Sequence, residues 1–160
     1  MTAVVSDTSP INYLCLIGAI DVLPQLFEQV FIPPTVFAEL GHRRAPREVS
    51  RWLSNLPAWV KIQKPVSVPE LGLDEGETEA ISLALELHAP SILIDEKRGR
   101  MAAQKQGLVP VGTLSILAAA SVRGMLRFED AVAKLQQTNF HVDEALVESL
   151  LLESRRQNDE

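Results

Sequence analysis

Apolar residues in this chain fall into two kinds of run: short, β-branched blocks that stop abruptly, and longer stretches in which they recur at helical spacing. Val4-Val5-Ser6-Asp7-Thr8-Ser9-Pro10 is of the first kind and reads as a buried strand that delivers the Asp7 carboxylate to the edge of a sheet. Pro10 suits the first turn of a following helix, with Ser9 as its N-cap and Ile11, Leu14 and Leu16 on its apolar side. Ser91-Ile92-Leu93-Ile94-Asp95 repeats the same pattern, again ending in an aspartate. Between them, Val30-Phe31-Ile32 forms a strand closed by Pro33-Pro34, after which Thr35 can cap a helix that carries Glu39 about one turn in and breaks near Gly41. Trp59-Val60-Lys61-Ile62 is a further strand, placed at the periphery by Pro57, Pro65 and Pro69, and Leu108-Val109-Pro110-Val111 is the last.

The helical stretches alternate with these strands. They cover residues 21–27, a segment opened by Pro46 that bears Val49, Trp52, Leu53 and Leu56, residues 97–106 before Gly107, and residues 114–120 behind Thr113. A core helix starts at Asp74, where Asp74 and Glu77 have the spacing of a capping box and apolar positions recur from Ala80. Helices over 128–136 and 142–152 follow, with a polar tail over 153–160 that is expected to fray. Alternating strands and helices predict one α/β domain over residues 1–152 with a largely parallel sheet. In such sheets functional groups gather beyond the carboxyl ends of the strands, so Asp7 and Asp95 belong to one edge, with Glu39 and Glu77 nearby.

Composition narrows the class without changing the fold. With 46% hydrophobic and 22% charged residues, the chain matches an ordinary globular domain. Neither a membrane-length apolar run nor a basic-then-apolar leader stands in it, which predicts a cytoplasmic protein. Cys15, the one cysteine, sits among Leu14, Leu16 and Ile17 as a core thiol. A formal charge of −6 excludes a protein that coats nucleic acid by bulk electrostatics, but not an enzyme acting on it through a local basic strip.

Four acids in six residues, Asp74, Glu75, Glu77 and Glu79, exceed what a helix N-terminus uses. Carboxylates gathered at one edge raise each other's pKa unless a cation lies between them. Oxygen ligands select hard ions such as Mg²⁺ or Mn²⁺, and His42, His88 and His141 are too scattered to make a zinc site. Such an ion suits phosphodiester hydrolysis. Arg43, Arg44, Arg47 and Arg51 form one basic stretch, and Lys97, Arg98 and Arg100 another just beyond Asp95; either could orient phosphates.

Taken together, Val5 to Pro10, Ile32 to Leu40 (IPPTVFAEL), Gly76 to Ala84 (GETEAISLA), Ile94-Asp95-Glu96 and Gly112-Thr113 resemble the PIN-domain family, in its prokaryotic branch of PIN-like proteins, over about residues 3 to 120. The resemblance implies a three-layer α/β/α sandwich with extra C-terminal helices and a Mg²⁺- or Mn²⁺-dependent ribonuclease site of three or four acids. It further implies RNA as substrate, frequent homodimers and, in many relatives, a VapC-like toxin role restrained by a small antitoxin. Position by position, Asp7 matches the first acid, Glu39 the second and Asp95 the fourth. Glu77 fits the third by its distance from Asp95, and Glu79 fits it by the Ala-Ile pattern that follows. The catalytic set is thus Asp7, Glu39, Glu77, Glu79 and Asp95, with Asp7, Glu39, Glu77 and Asp95 as metal ligands. Ser9, Arg43, Arg44, Lys97, Arg98, Arg100 and Thr113 are its substrate-binding neighbours.

Two other acidic α/β enzymes fit less well. A haloacid-dehalogenase-type phosphatase needs a second aspartate where Ser9 stands, and a phospho-receiver domain needs paired acids at the first strand. The remaining competitor is a PIN-like protein that binds metal or nucleic acid and regulates without cleaving.

Overall fold

A computed structural model describes residues 2–42 and 44–159. Its centre is a five-stranded sheet in the order β3-β2-β1-β4-β5, every neighbouring pair parallel. The strands are β1 (Ala3–Ser6), β2 (Gln29–Ile32), β3 (Val60–Ile62), β4 (Ser91–Leu93) and β5 (Val109–Val111). The proline-flanked β3 is an edge strand, as its surroundings predict.

Nine helices connect and flank the strands among the described residues: α1 (Thr8–Leu16), α2 (Leu23–Leu26), α3 (Pro34–Leu40), α4 (Arg47–Ser54), α5 (Glu75–Glu86), α6 (Lys97–Lys105), α7 (Thr113–Val122), α8 (Phe128–Gln136) and α9 (Glu144–Asp159). A 3₁₀ turn, Ile20–Val22, runs into α2, and Pro24 is tolerated there because it lies in the first turn, where no N–H is needed. The polar residues 153–159 are part of α9, which continues to Asp159. It lies along α7, and Val147, Leu150 and Leu151 pack against the core on that side.

The pleat explains why the sandwich has three layers. Successive strand residues point to opposite faces. Val4 and Leu93 join a core with Ile11, Leu14, Ile116, Leu117 and Phe128, whereas Val5, Ile92 and Ile94 join a second with Ile81, Leu83, Ala84 and Ala103. Both faces are therefore covered, which is the usual condition of an all-parallel sheet. On the second face every residue of α5 from Gly76 to Ala84 is buried. The helix ends at Glu86 with Leu87 as its C-cap, and His88 takes the left-handed conformation (φ 54°) that turns the chain towards β4. No helix among the described residues is long and apolar enough to cross a membrane.

Candidate active site

The carboxyl ends of β1 and β4 lie side by side, joined just past the strands by the Asp7 N–H donating to the Leu93 carbonyl at 2.9 Å. Asp7, rather than Ser9, occupies the N-cap position of α1, and its carboxylate makes no capping hydrogen bond. Ser9 is already inside the helix, where its hydroxyl donates to Asp95 Oδ2 at 2.6 Å. Asp95 also accepts from the Thr113 N–H at 2.7 Å and from the Thr113 hydroxyl at 2.8 Å. Gly112, not Thr113, is the N-cap of α7. Three donors from α1 and α7 thus fix the orientation of Asp95. Both hydroxyls expected near substrate are turned to that carboxylate instead, and Thr113 is fully buried.

Glu39 enters from α3. Its Oε2 accepts from the Thr8 hydroxyl at 2.5 Å, and its Oε1 lies over the bare Cα of Gly76, where a Cβ would come within 2.8 Å. Glu77 enters from the first turn of α5, where its N–H donates to the Asp74 carboxylate at 2.8 Å in the expected cap. Glu77 is buried, and its Oε2 has no hydrogen-bond partner among the described residues. That oxygen reaches the N-terminal turn of α6, against Gly99.

The titration behaviour ties these acids together. Burial chiefly pushes the Asp7 carboxyl up to about 7, the Thr8 backbone hydrogen bond opposes this, and the charges of Asp74, Glu39 and Glu96 add to it. Burial again leads for Glu77, raised to about 8 with help from a side-chain hydrogen bond to Asp74 and the charges of Asp74, Asp7 and Glu96. Glu79, two residues on and so about 200° around the helix, does not contribute to either shift. It is buried with an unpartnered Oε2 of its own. The helix thus turns Glu77, not Glu79, towards Asp7.

Two acids enter the cluster that sequence reasoning had not placed there: Asp74, assigned only to capping, and Glu96, at the N-cap of α6. The signal for Glu96 was its position directly behind Asp95 at a strand end. Of the basic residues, Arg98 donates to the Gly72 carbonyl at 3.1 Å, steadying the loop before α5. Arg44 is exposed, with its N–H on His42 Nδ1 at 3.2 Å. Arg43 lies outside the described residues. Lys97 and Arg100 border a cleft of about 510 Å³ that opens beside Asp95 and Thr113. A second cleft, of about 540 Å³, lies at the C-terminal end of α1 and is lined by none of these acids.

The donor set fits a hard divalent cation. Buried acids with raised pKa values and an orphaned Glu77 oxygen are groups that a bound cation would satisfy. All the donors are oxygens, as Mg²⁺ and Mn²⁺ prefer. Among the described residues no three His, Cys, Asp or Glu side chains are close enough to cage an ion directly.

Alanine at Gly99 tests how tightly Glu77 is seated. A methyl there would meet Glu77 Oε2 and lie 2.6 Å from Ile94 Cδ1, in the core. Alanine normally favours a helix by up to ~1 kcal/mol, but overpacking costs about 1–3 kcal/mol, so Gly99→Ala is expected to lower the melting temperature. An unchanged or raised melting temperature would show that Glu77 has room to move.

A search of curated proteins finds no match to the chain. A family model described as a PIN domain matches residues 3–155, which takes in the whole sheet, every acid above and most of α9. That family has a nuclease-type fold and typically works with divalent metal ions. With its all-parallel sheet, its acids at the strand ends and a match over nearly its full length, the chain belongs to the PIN-domain family.

Proposed function

We propose that this protein is a Mg²⁺- or Mn²⁺-dependent endoribonuclease of the cytoplasm, with Asp7, Glu39, Glu77 and Asp95 at its centre. The observation that carries the reading is the buried Glu77, whose proton affinity the charge of Asp7 helps to raise and whose Oε2 is left unpartnered among the described residues, beside a buried Asp7 that is itself raised by burial and by the charges of Asp74, Glu39 and Glu96. Asp7, Glu39, Glu77 and Asp95 would hold the cation, and Ser9 and Thr113 keep Asp95 in a single orientation. A bound Mg²⁺ or Mn²⁺ supplies an activated attacking water and neutralises charge on the phosphate. Lys97 and Arg100, on the cleft beside Asp95, would bind the phosphates of the RNA strand and so orient it at the acids. Assembly as a homodimer and restraint by a small antitoxin belong to the same proposal and rest on the family resemblance.

Incubation with varied single-stranded RNAs, with Mn²⁺ and with EDTA, tests the reading. Cleavage is expected only with metal. It should be lost in Asp95→Asn and Glu77→Gln and retained in Glu79→Gln. Undiminished cleavage in the first two variants would overturn the assignment of the acids. Metal-dependent RNA binding without cleavage on any substrate would establish the regulatory reading instead.

A further inference from the structure

The cleft beside Asp95 has a wall that the acidic cluster does not account for. One side is formed by Lys97 and Arg100 of α6 and the other by Phe140, His141 and Asp143 from the loop between α8 and α9. That loop comes from near the end of the chain, yet it is tied to the first helix. Tyr13 of α1 donates its hydroxyl to Asn139 Oδ1 at 2.7 Å and sets its ring edge-on to Phe140, centroids 4.9 Å apart. Tyr13 also lies within the field of Asp95, whose charge adds to burial in raising the phenol's pKa. The contact therefore ties to α1 a loop that lines the same cleft as Asp95 and Thr113.

The two basic side chains are uncommitted in a way their neighbour is not. Arg98 is used on the Gly72 carbonyl, whereas among the described residues neither Lys97 nor Arg100 enters an ion pair or a side-chain hydrogen bond. Arg100 is half-buried and lines the cleft. Basic forks on one wall and an exposed imidazole with an aromatic edge on the other make an asymmetric pair of surfaces. One suits a phosphate, the other a sugar and base. A volume of about 510 Å³ is in the range of sites for a molecule the size of one nucleotide.

We infer that this cleft is a nucleotide subsite beside the scissile phosphate: Lys97 and Arg100 receive the adjoining phosphate, and His141, presented by the Tyr13-anchored loop, contacts the sugar or base. The inference rests on the ribonuclease reading for its place in a reaction, but the subsite can be measured without cleavage. His141 and its loop would then set which nucleotide is accepted next to the cut, a role independent of the acids.

Adenosine and cytidine 5′-monophosphates, titrated into the full chain in Mg²⁺ and followed by NMR at the His141 ring and, in every variant, at the backbone amides of residues 137–143, are the direct probes. Saturable binding that shifts the His141 resonances is expected, weakened about 5- to 10-fold by Arg100→Ala and by His141→Ala, the loss of roughly one charge-assisted or polar contact each. Tyr13→Phe, which keeps the ring and removes the bond to Asn139, should weaken binding less than either. Both side chains replaced for binding are at least partly exposed, and circular dichroism melting checks that each variant is folded. If neither nucleotide perturbs His141, or if Arg100→Ala and His141→Ala bind as the wild type does, the subsite is overturned whether or not the protein cuts RNA. If nucleotides bind as expected but no RNA is cleaved, the subsite stands and the ribonuclease reading fails. With an RNA that is cleaved, His141→Ala should raise KM and alter the nucleotide preference beside the cut; unchanged KM and preference would also overturn the proposal.

Discussion

Asp7→Asn is expected to remove cleavage and, in the metal-free protein, to raise stability. Loss of a fixed electrostatic contact at a reacting centre costs on the order of 10³-fold in rate, and Asp7 lies within the fields of Asp74, Glu39 and Glu96. The gain in stability has a separate origin. Asp7 is only 7% exposed, and above pH 7 its charge is held among other acids with no capping bond from its carboxylate to offset it. Asparagine keeps the shape and is as good a residue at an N-cap position, so the backbone start of α1 should survive the change. Removing a buried charge of this kind is worth on the order of 2 kcal/mol, or about 5 °C in melting temperature for a domain of this size. Calorimetry in EDTA at pH 8, beside an RNA cleavage assay, checks both halves. A variant that is inactive but markedly less stable than wild type would mean that Asp7 is a structural residue and not the electrostatic burden described.

The framework of this site was legible in the sequence because strand-ending aspartates are local signals. A β-branched run that stops at an acid predicts its own geometry, and Asp7 and Asp95 both lie where that rule puts them. Proline flanks likewise predicted the edge position of β3. Pairings across the fold were not legible. Ser9 reads locally as a cap, since nothing near it shows that Asp95, 86 positions away, will take its hydroxyl. The choice between Glu77 and Glu79 was open for a similar reason: both are buried on one helix, and only the placement of α5 against β1 shows which of them meets Asp7. Arg98 was indistinguishable from Lys97 and Arg100 until the loop before α5 folded back to offer the Gly72 carbonyl. The tail past residue 152 is polar, but helix is favoured there because α9 is already nucleated and packed on α7.

Without metal, the protein should lose stability as pH rises from about 4 to 8, the reverse of an ordinary acid-sensitive domain. Asp7 and Glu77 have ordinary values of 3.8 and 4.5 and stand at about 7 and about 8 in the fold. Between those limits the folded chain binds more protons than the unfolded chain, so the free energy of unfolding falls with rising pH. About a unit below the unfolded values, near pH 3, both acids are protonated in either state and the penalty vanishes; about a unit above the folded values, near pH 9, it is complete, on the order of a few kcal/mol. Little opposes the trend, because the one ion pair among the described residues, Arg127 with Asp130 at 4.0 Å, is largely exposed and worth little. A net charge of −6 adds repulsion in the same direction. Divalent cations bind the ionised acids, so millimolar Mg²⁺ or Mn²⁺ should raise the melting temperature more at pH 8 than at pH 5.5, by about 2.7 kcal/mol of stability at a hundredfold excess over Kd. Thermal melts across this range, in EDTA and in Mg²⁺, give both slopes at once. The double variant Asp7→Asn/Glu77→Gln should flatten the EDTA profile and abolish the Mg²⁺ shift. A wild-type profile that climbs with pH in EDTA, or a Mg²⁺ shift that survives in the double variant, would place the cation elsewhere and leave these two acids without the role given to them.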